Sequence, residues 1–142
     1  MDQNFHNHSR IVRGYHIVLT FLLLAGLVGS IVNLVSSIKT DNLYSASLIV
    51  LLFVIGFFIA AFSRSFALKA QDRAIRAEEN FRYYLISGKT LPLNLTMPQI
   101  IALRFAPDDE FIILTERANV EKLNPKEIKS AIKNWKADHY RV

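Results

Sequence analysis

Two uninterrupted apolar runs, both free of charge, constrain this chain more than any other feature. The first extends from Ile17 to Ile38 and the second from Leu43 to Phe62. A helix rises about 1.5 Å per residue, so roughly 20 residues cross the hydrocarbon core of a bilayer. Both runs reach that length, and a helix buried in a soluble core rarely stays uncharged on every side for so long. The expected fold class is all-α: a two-helix transmembrane hairpin over about 15–38 and 43–62, turned at Thr40 to Asn42. The first run could be confused with a signal peptide, but it is longer than the usual signal core. Ala25 to Ser30 is also a weak cleavage site, so retention is expected.

Positive charge sets the expected orientation. Arg10 and Arg13 precede the first run, and Arg64, Lys69, Arg73, Arg76 and Arg82 follow the second, whereas the connection carries Lys39 against Asp41. Basic residues resist translocation, which puts both termini in the cytoplasm and the short turn outside. Tyr15 and Tyr44 stand at span ends, where amphipathic rings favour the interface. On this orientation the sequons Asn7-His8-Ser9 and Asn94-Leu95-Thr96 face the cytoplasm and stay unglycosylated.

The second helix has no stop at the membrane surface. From Ser63 to Ser87 there is neither proline nor glycine, and Ala, Arg and Glu abound, so the spacing predicts one helix continuing to Gly88. Along it Gly56, Ala60, Ser63, Ala67, Ala70, Ala74, Ala77, Phe81 and Tyr84 alternate spacings of four and three, a heptad seam made mostly of small residues. Small residues let backbones approach closely, and in lipid such packing replaces the missing hydrophobic drive. The first span offers Gly26, Ser30, Asn33 and Ser37 in return. A turn centred near Asp41 would bring Gly26 level with Gly56. Beyond the bilayer the seam needs another partner, either folded-back C-terminal helices or a second copy.

Past Gly88 the composition changes. Lys89 to Leu95, containing Pro92, reads as an extended linker. Thr96 then suits the N-cap of a short helix from Met97 to Phe105 with Pro98 in its first turn. Pro107 opens a second helix, whose Asp108, Asp109 and Glu110 match the positive end of the helix dipole and whose Phe111, Leu114 and Ala118 form an apolar face. Asn124, Pro125 and Glu127 give a third helix its cap, first residue and capping box. Ile128, Ala131, Ile132 and Trp135 would form its apolar face, and Lys126, Lys129, Lys133 and Lys136 a basic stripe. The expected domains are therefore 1–88, comprising arm, hairpin and the 63–87 extension, and 89–142, comprising linker and a small bundle of three short helices. So few residues make a marginal core, which favours docking onto the long helix or a partner.

Little in the chain suggests catalysis. With no cysteine, thiolate chemistry and disulfides are excluded. His6, His8 and His16 match no closed metal site. Glu78, Glu79 and Asp108 to Glu110 read as helix-surface and dipole charges. Phosphate loops, nucleophile elbows and zincin patterns are missing. The spans supply only Asn33 and some hydroxyls at membrane depth, too little for a carrier or pore unless several copies assemble.

Several stretches resemble one known family: Asn7-His8-Ser9-Arg10 with Gly29-Ser30-Ile31-Val32-Asn33; the run Arg64-Ser65-Phe66-Ala67-Leu68-Lys69-Ala70-Gln71-Asp72-Arg73; Gln99-Ile100-Ile101-Ala102-Leu103-Arg104-Phe105-Ala106; and Lys129-Ser130-Ala131-Ile132-Lys133-Asn134-Trp135. The chain resembles an uncharacterised family of small bacterial two-span membrane proteins, a domain of unknown function. The resemblance implies a bacterial inner-membrane setting and no activity.

These readings lead to the expectation of a non-enzymatic membrane scaffold or accessory subunit, without cofactor, working through helix packing with the bilayer, another copy or a membrane-protein partner. The alternative is binding of anionic lipid or nucleic acid by Arg64, Lys69, Arg73, Arg76 and the C-terminal lysines. Each basic residue near an anionic surface contributes about 1 kcal/mol. Nucleic acid is the weaker half, because aromatic interleaving and a recognised binding fold are missing.

Overall fold

The computed structural model describes residues 11–138, all of whose regular elements are helical. They form two compact units, Ile11–Ala67 and, among the described residues, 68–138.

In the first unit a π-helical stretch, Gly14–Leu19, runs without a break into α1, Thr20–Ser36. A turn follows, in which Ser37 N–H bonds the carbonyls of Asn33 and Leu34 and the Thr40 hydroxyl donates to Ser37 O at 3.0 Å. Then comes α2, Leu43–Ser87, the 45-residue element that extends into the second unit. Ser30 buries its hydroxyl by donating back to Leu27 O at 2.8 Å, which satisfies it inside an apolar helix. Both helices are long and apolar enough to cross a membrane, and only 6% of each apolar window is buried. Phe21, Val32, Leu52 and Ile59, among many, face outward.

α1 and α2 meet through small-to-large contacts. The Phe53 ring lies where a β-carbon on Gly26 would stand, Leu23 approaches Gly56 in the same way, and the Tyr15 hydroxyl donates to Ala60 O. Gly26 is thus opposite Phe53, not level with Gly56. α1 ends at Ser36 and α2 begins at Leu43, so the midpoint of their connection lies between Lys39 and Thr40, short of Asp41.

The second unit is built on residues 68–87 of α2. That helix stops where Gly88 adopts φ +70, a left-handed conformation that glycine takes without steric penalty, with its N–H on Tyr84 O. A linker leads to α3, Met97–Leu103, whose N-cap Thr96 and Gln99 form a capping box with Pro98 in the first turn. α4, Asp108–Val120, follows Pro107 with three acids in its first turn. α5, Pro125–Ala131, is capped by Asn124, whose side chain accepts from Lys126 N and Glu127 N while Glu127 returns to Asn124 N.

These helices enclose one core. Ile75 and Tyr83 of α2 join Leu91, Leu95, Ile100, Leu103, Phe111, Leu114, Ala118 and Ile128. Each large side chain so buried contributes about 1.5–3 kcal/mol. Tyr83 and Phe111 meet edge-on with centroids 5.9 Å apart.

The third helix is shorter than its apolar periodicity suggests. After Ala131 the chain turns extended at Ile132. The Glu110 carboxylate takes the backbone N–H groups of Lys133 and Asn134, each at 2.9 Å, and Phe105 O takes that of Lys136 at 2.8 Å. Donors that would have continued the helix are held elsewhere. Trp135 accordingly stacks on Phe105, centroids 4.6 Å apart, instead of joining a helical face.

Candidate functional site

Three surfaces are available for function, and all involve α2. The first is the small-residue seam. Within the first unit Gly56 and Ala60 are half-buried against α1, as is Gly26 in α1, and Ser30 is buried, whereas Asn33 and Ser63 are exposed. Ala67 is half-buried. Further along, Ala70, Ala74 and Ala77 are exposed, with Phe81 62% and Tyr84 54% open. The core of the second unit forms on a different side of the helix, through Ile75, Glu79 and Tyr83. The folded-back helices therefore do not cover the seam.

The second is an ionic cluster that the sequence reading missed. Arg82 donates through Nε to Asp108 at 2.7 Å, through one terminal nitrogen to Glu79 at 3.1 Å and through the other to Ala106 O at 2.8 Å. Its guanidinium also lies over Phe111. Glu79, expected on the surface, is only 8% exposed. Burial raises its carboxyl pKa above the ordinary value, opposed by Arg82 and more weakly by Lys136 and Arg104. Burial also raises the Tyr83 phenol, with Glu116 adding to the effect. Arg104, buried as well, pairs with Asp138 at 3.0 Å. A cleft of about 170 Å³ opens among Glu78, Glu79, Arg104, Lys136 and Asp138.

The third is a groove of about 490 Å³ between α2 and the linker. Arg73, Arg76, Ala77 and Asn80 form one wall and residues 90–93 the other. Asn80 accepts Leu91 N–H through Oδ1 at 2.9 Å, which fixes the linker against the helix.

The predicted basic residues fall on different elements. Arg73 and Arg76 share the groove, Lys69 is exposed and Arg64 is half-buried. Lys126 and Lys129 lie on α5, but Lys133 and Lys136 fall beyond its end, so the expected stripe is divided. Lys129 approaches Phe105, Nζ 5.7 Å from the centroid, and Lys136 lines the acidic cleft. No group of three His, Asp or Glu residues converges as a metal site among the described residues. His6, His8 and Arg10 lie outside those residues.

The fold defines an all-helical protein with two helices long and apolar enough to span a membrane. The chain matches the family of unknown function DUF6526 over residues 1–142, and it belongs to that family. No curated protein and no solved structure shows significant similarity to it.

Proposed function

We infer that this chain is a non-enzymatic scaffold or accessory protein of the bacterial cytoplasmic membrane. α1 and the first part of α2 form its transmembrane hairpin, and residues 68–138 lie on the cytoplasmic side. Outward-facing Phe, Leu, Ile and Val side chains along both helices support lipid as their surroundings, since monomeric soluble proteins rarely expose such large apolar patches. The cytoplasmic position follows from Arg64, Lys69, Arg73 and Arg76 after the second span.

The observation that carries the scaffold reading is the exposed stretch Ala70, Ala74, Ala77, Phe81 and Tyr84. It keeps heptad spacing on a helix whose other side is already packed, and the occupant that matches it residue for residue is the same stretch of a second copy. The test is the protein mass of the detergent-solubilised full chain by light scattering. A dimer that becomes monomeric in the Ala70→Leu/Ala74→Leu variant supports the reading. A monomeric wild type, or a mass unchanged by the substitutions, rejects it.

A further inference from the structure

The groove beside residues 73–80 of α2 collects donors and no acids. Arg73 and Arg76 are neighbours three residues apart on one helix, and neither takes part in an ion pair or hydrogen bond among the described residues. Asn80 spends its Oδ1 on Leu91 N–H, which leaves its two amide hydrogens as donors. Thr90 adds a hydroxyl at the opposite wall. Two uncompensated guanidiniums with amide and hydroxyl donors fit a phosphate, which guanidinium forks bind with paired hydrogen bonds.

The rest of the groove is apolar. Leu91, Pro92 and Leu93 continue the linker wall, and Leu93 is 91% exposed at its rim. A free phosphate has no use for such a wall, but an amphiphile does. We propose that this groove binds the head of an acidic phospholipid, its phosphate between Arg73 and Arg76 and its glycerol and upper acyl carbons against Pro92 and Leu93. The site rests on the membrane reading above, because the bilayer supplies the ligand. It borders the seam at Ala77, but the Ala70→Leu/Ala74→Leu variant changes residues outside the groove lining, so the two readings are tested separately.

The full chain in mild detergent is incubated with phosphatidylglycerol, phosphatidylcholine, inorganic phosphate or a single-stranded oligonucleotide, and retained ligand is counted by native mass spectrometry. Phosphatidylglycerol should be held at least ten-fold more tightly than phosphatidylcholine, whose choline cation opposes the arginines. Arg73→Gln/Arg76→Gln should remove that preference, whereas Lys126→Gln/Lys133→Gln should leave it intact. Leu93→Asp, at a position too exposed to affect folding, should weaken phosphatidylglycerol several-fold and spare inorganic phosphate. Equal retention of the two lipids, an unchanged arginine variant, or inorganic phosphate or oligonucleotide held as tightly as phosphatidylglycerol would each overturn the proposal. Failure of the membrane reading is seen separately, as recovery of the chain from cells in detergent-free buffer.

Discussion

The guanidinium of Arg82 lies 4.2 Å from the centre of the Phe111 ring, so a cation on α2 roofs the aromatic core of the second unit. The same group binds Glu79, Asp108 and Ala106 O. Lysine cannot reproduce this, because a single ammonium lacks the planar fork that reaches three acceptors while stacking on a ring. Arg82→Ala strands a buried carboxylate, and breaking such pairs costs about 3–5 kcal/mol. We expect a loss near that range for Arg82→Ala and a smaller one for Arg82→Lys. Urea unfolding followed by Trp135, the single tryptophan, measures both.

Glu79 makes the same unit pH-sensitive. Its carboxyl pKa is raised in the folded chain, so between the unfolded value near 4.5 and the folded value the native state holds more proton. Stability therefore falls as pH rises through that window and is flat on either side of it. Glu79→Gln should remove this slope on the acidic side. The check is the urea midpoint of wild type and variant across pH 4 to 7, on the order of three pH units around the carboxyl range. An equal slope in both would locate the titration elsewhere.

Glu110 holds the segment after α5. It accepts from Lys133 N and Asn134 N at 2.9 Å and from the Asn134 side-chain amide at 3.1 Å. A hydrogen bond to a charged group is worth about 1.5–3 kcal/mol, but these three are solvent-exposed and together contribute less than their sum. Glu110→Ala should free the segment, separate Trp135 from Phe105 and shift tryptophan emission to the red, with global stability reduced by about 1–2 kcal/mol. Glu110→Gln keeps one acceptor oxygen and should fall between.

How far this was legible depended on whether the signal was local. The caps at Thr96 and Asn124, the end of α2 at Gly88 and the two apolar runs are written in adjacent residues, and each is found where the spacing placed it. The fate of Glu79, Glu110 and residues 132–136 was not, because it depends on which backbone donors a distant carboxylate captures. Periodicity also extended α5 through Trp135, a residue whose partner, Phe105, is thirty positions away. For the groove, Arg73 and Arg76 were visible as basic residues, but nothing in sequence joined them to Asn80, Thr90 and the linker wall.

Gly26 and Phe53 offer the sharpest test of how α1 and α2 pack. A β-carbon at Gly26 would overlap the Phe53 ring, far inside contact distance. The ring must move or the helices must separate, and overpacking of this kind costs typically about 1–3 kcal/mol. In lipid the loss is not masked by hydrophobic association, since tight van der Waals contact is itself the driving force. Gly26→Ala should therefore weaken the pairing, and Phe53→Leu, which withdraws the ring, should restore most of it in the double variant. Phe53→Leu alone leaves a gap over Gly26 and should cost less than Gly26→Ala. The measurement is a double-mutant cycle on the denaturant midpoint of the reconstituted chain, read by a dye pair at Arg13→Cys beside the start of the first helical run and Ser63→Cys on α2, which responds to helix separation. Additive losses in the double variant would mean that these two residues do not face each other.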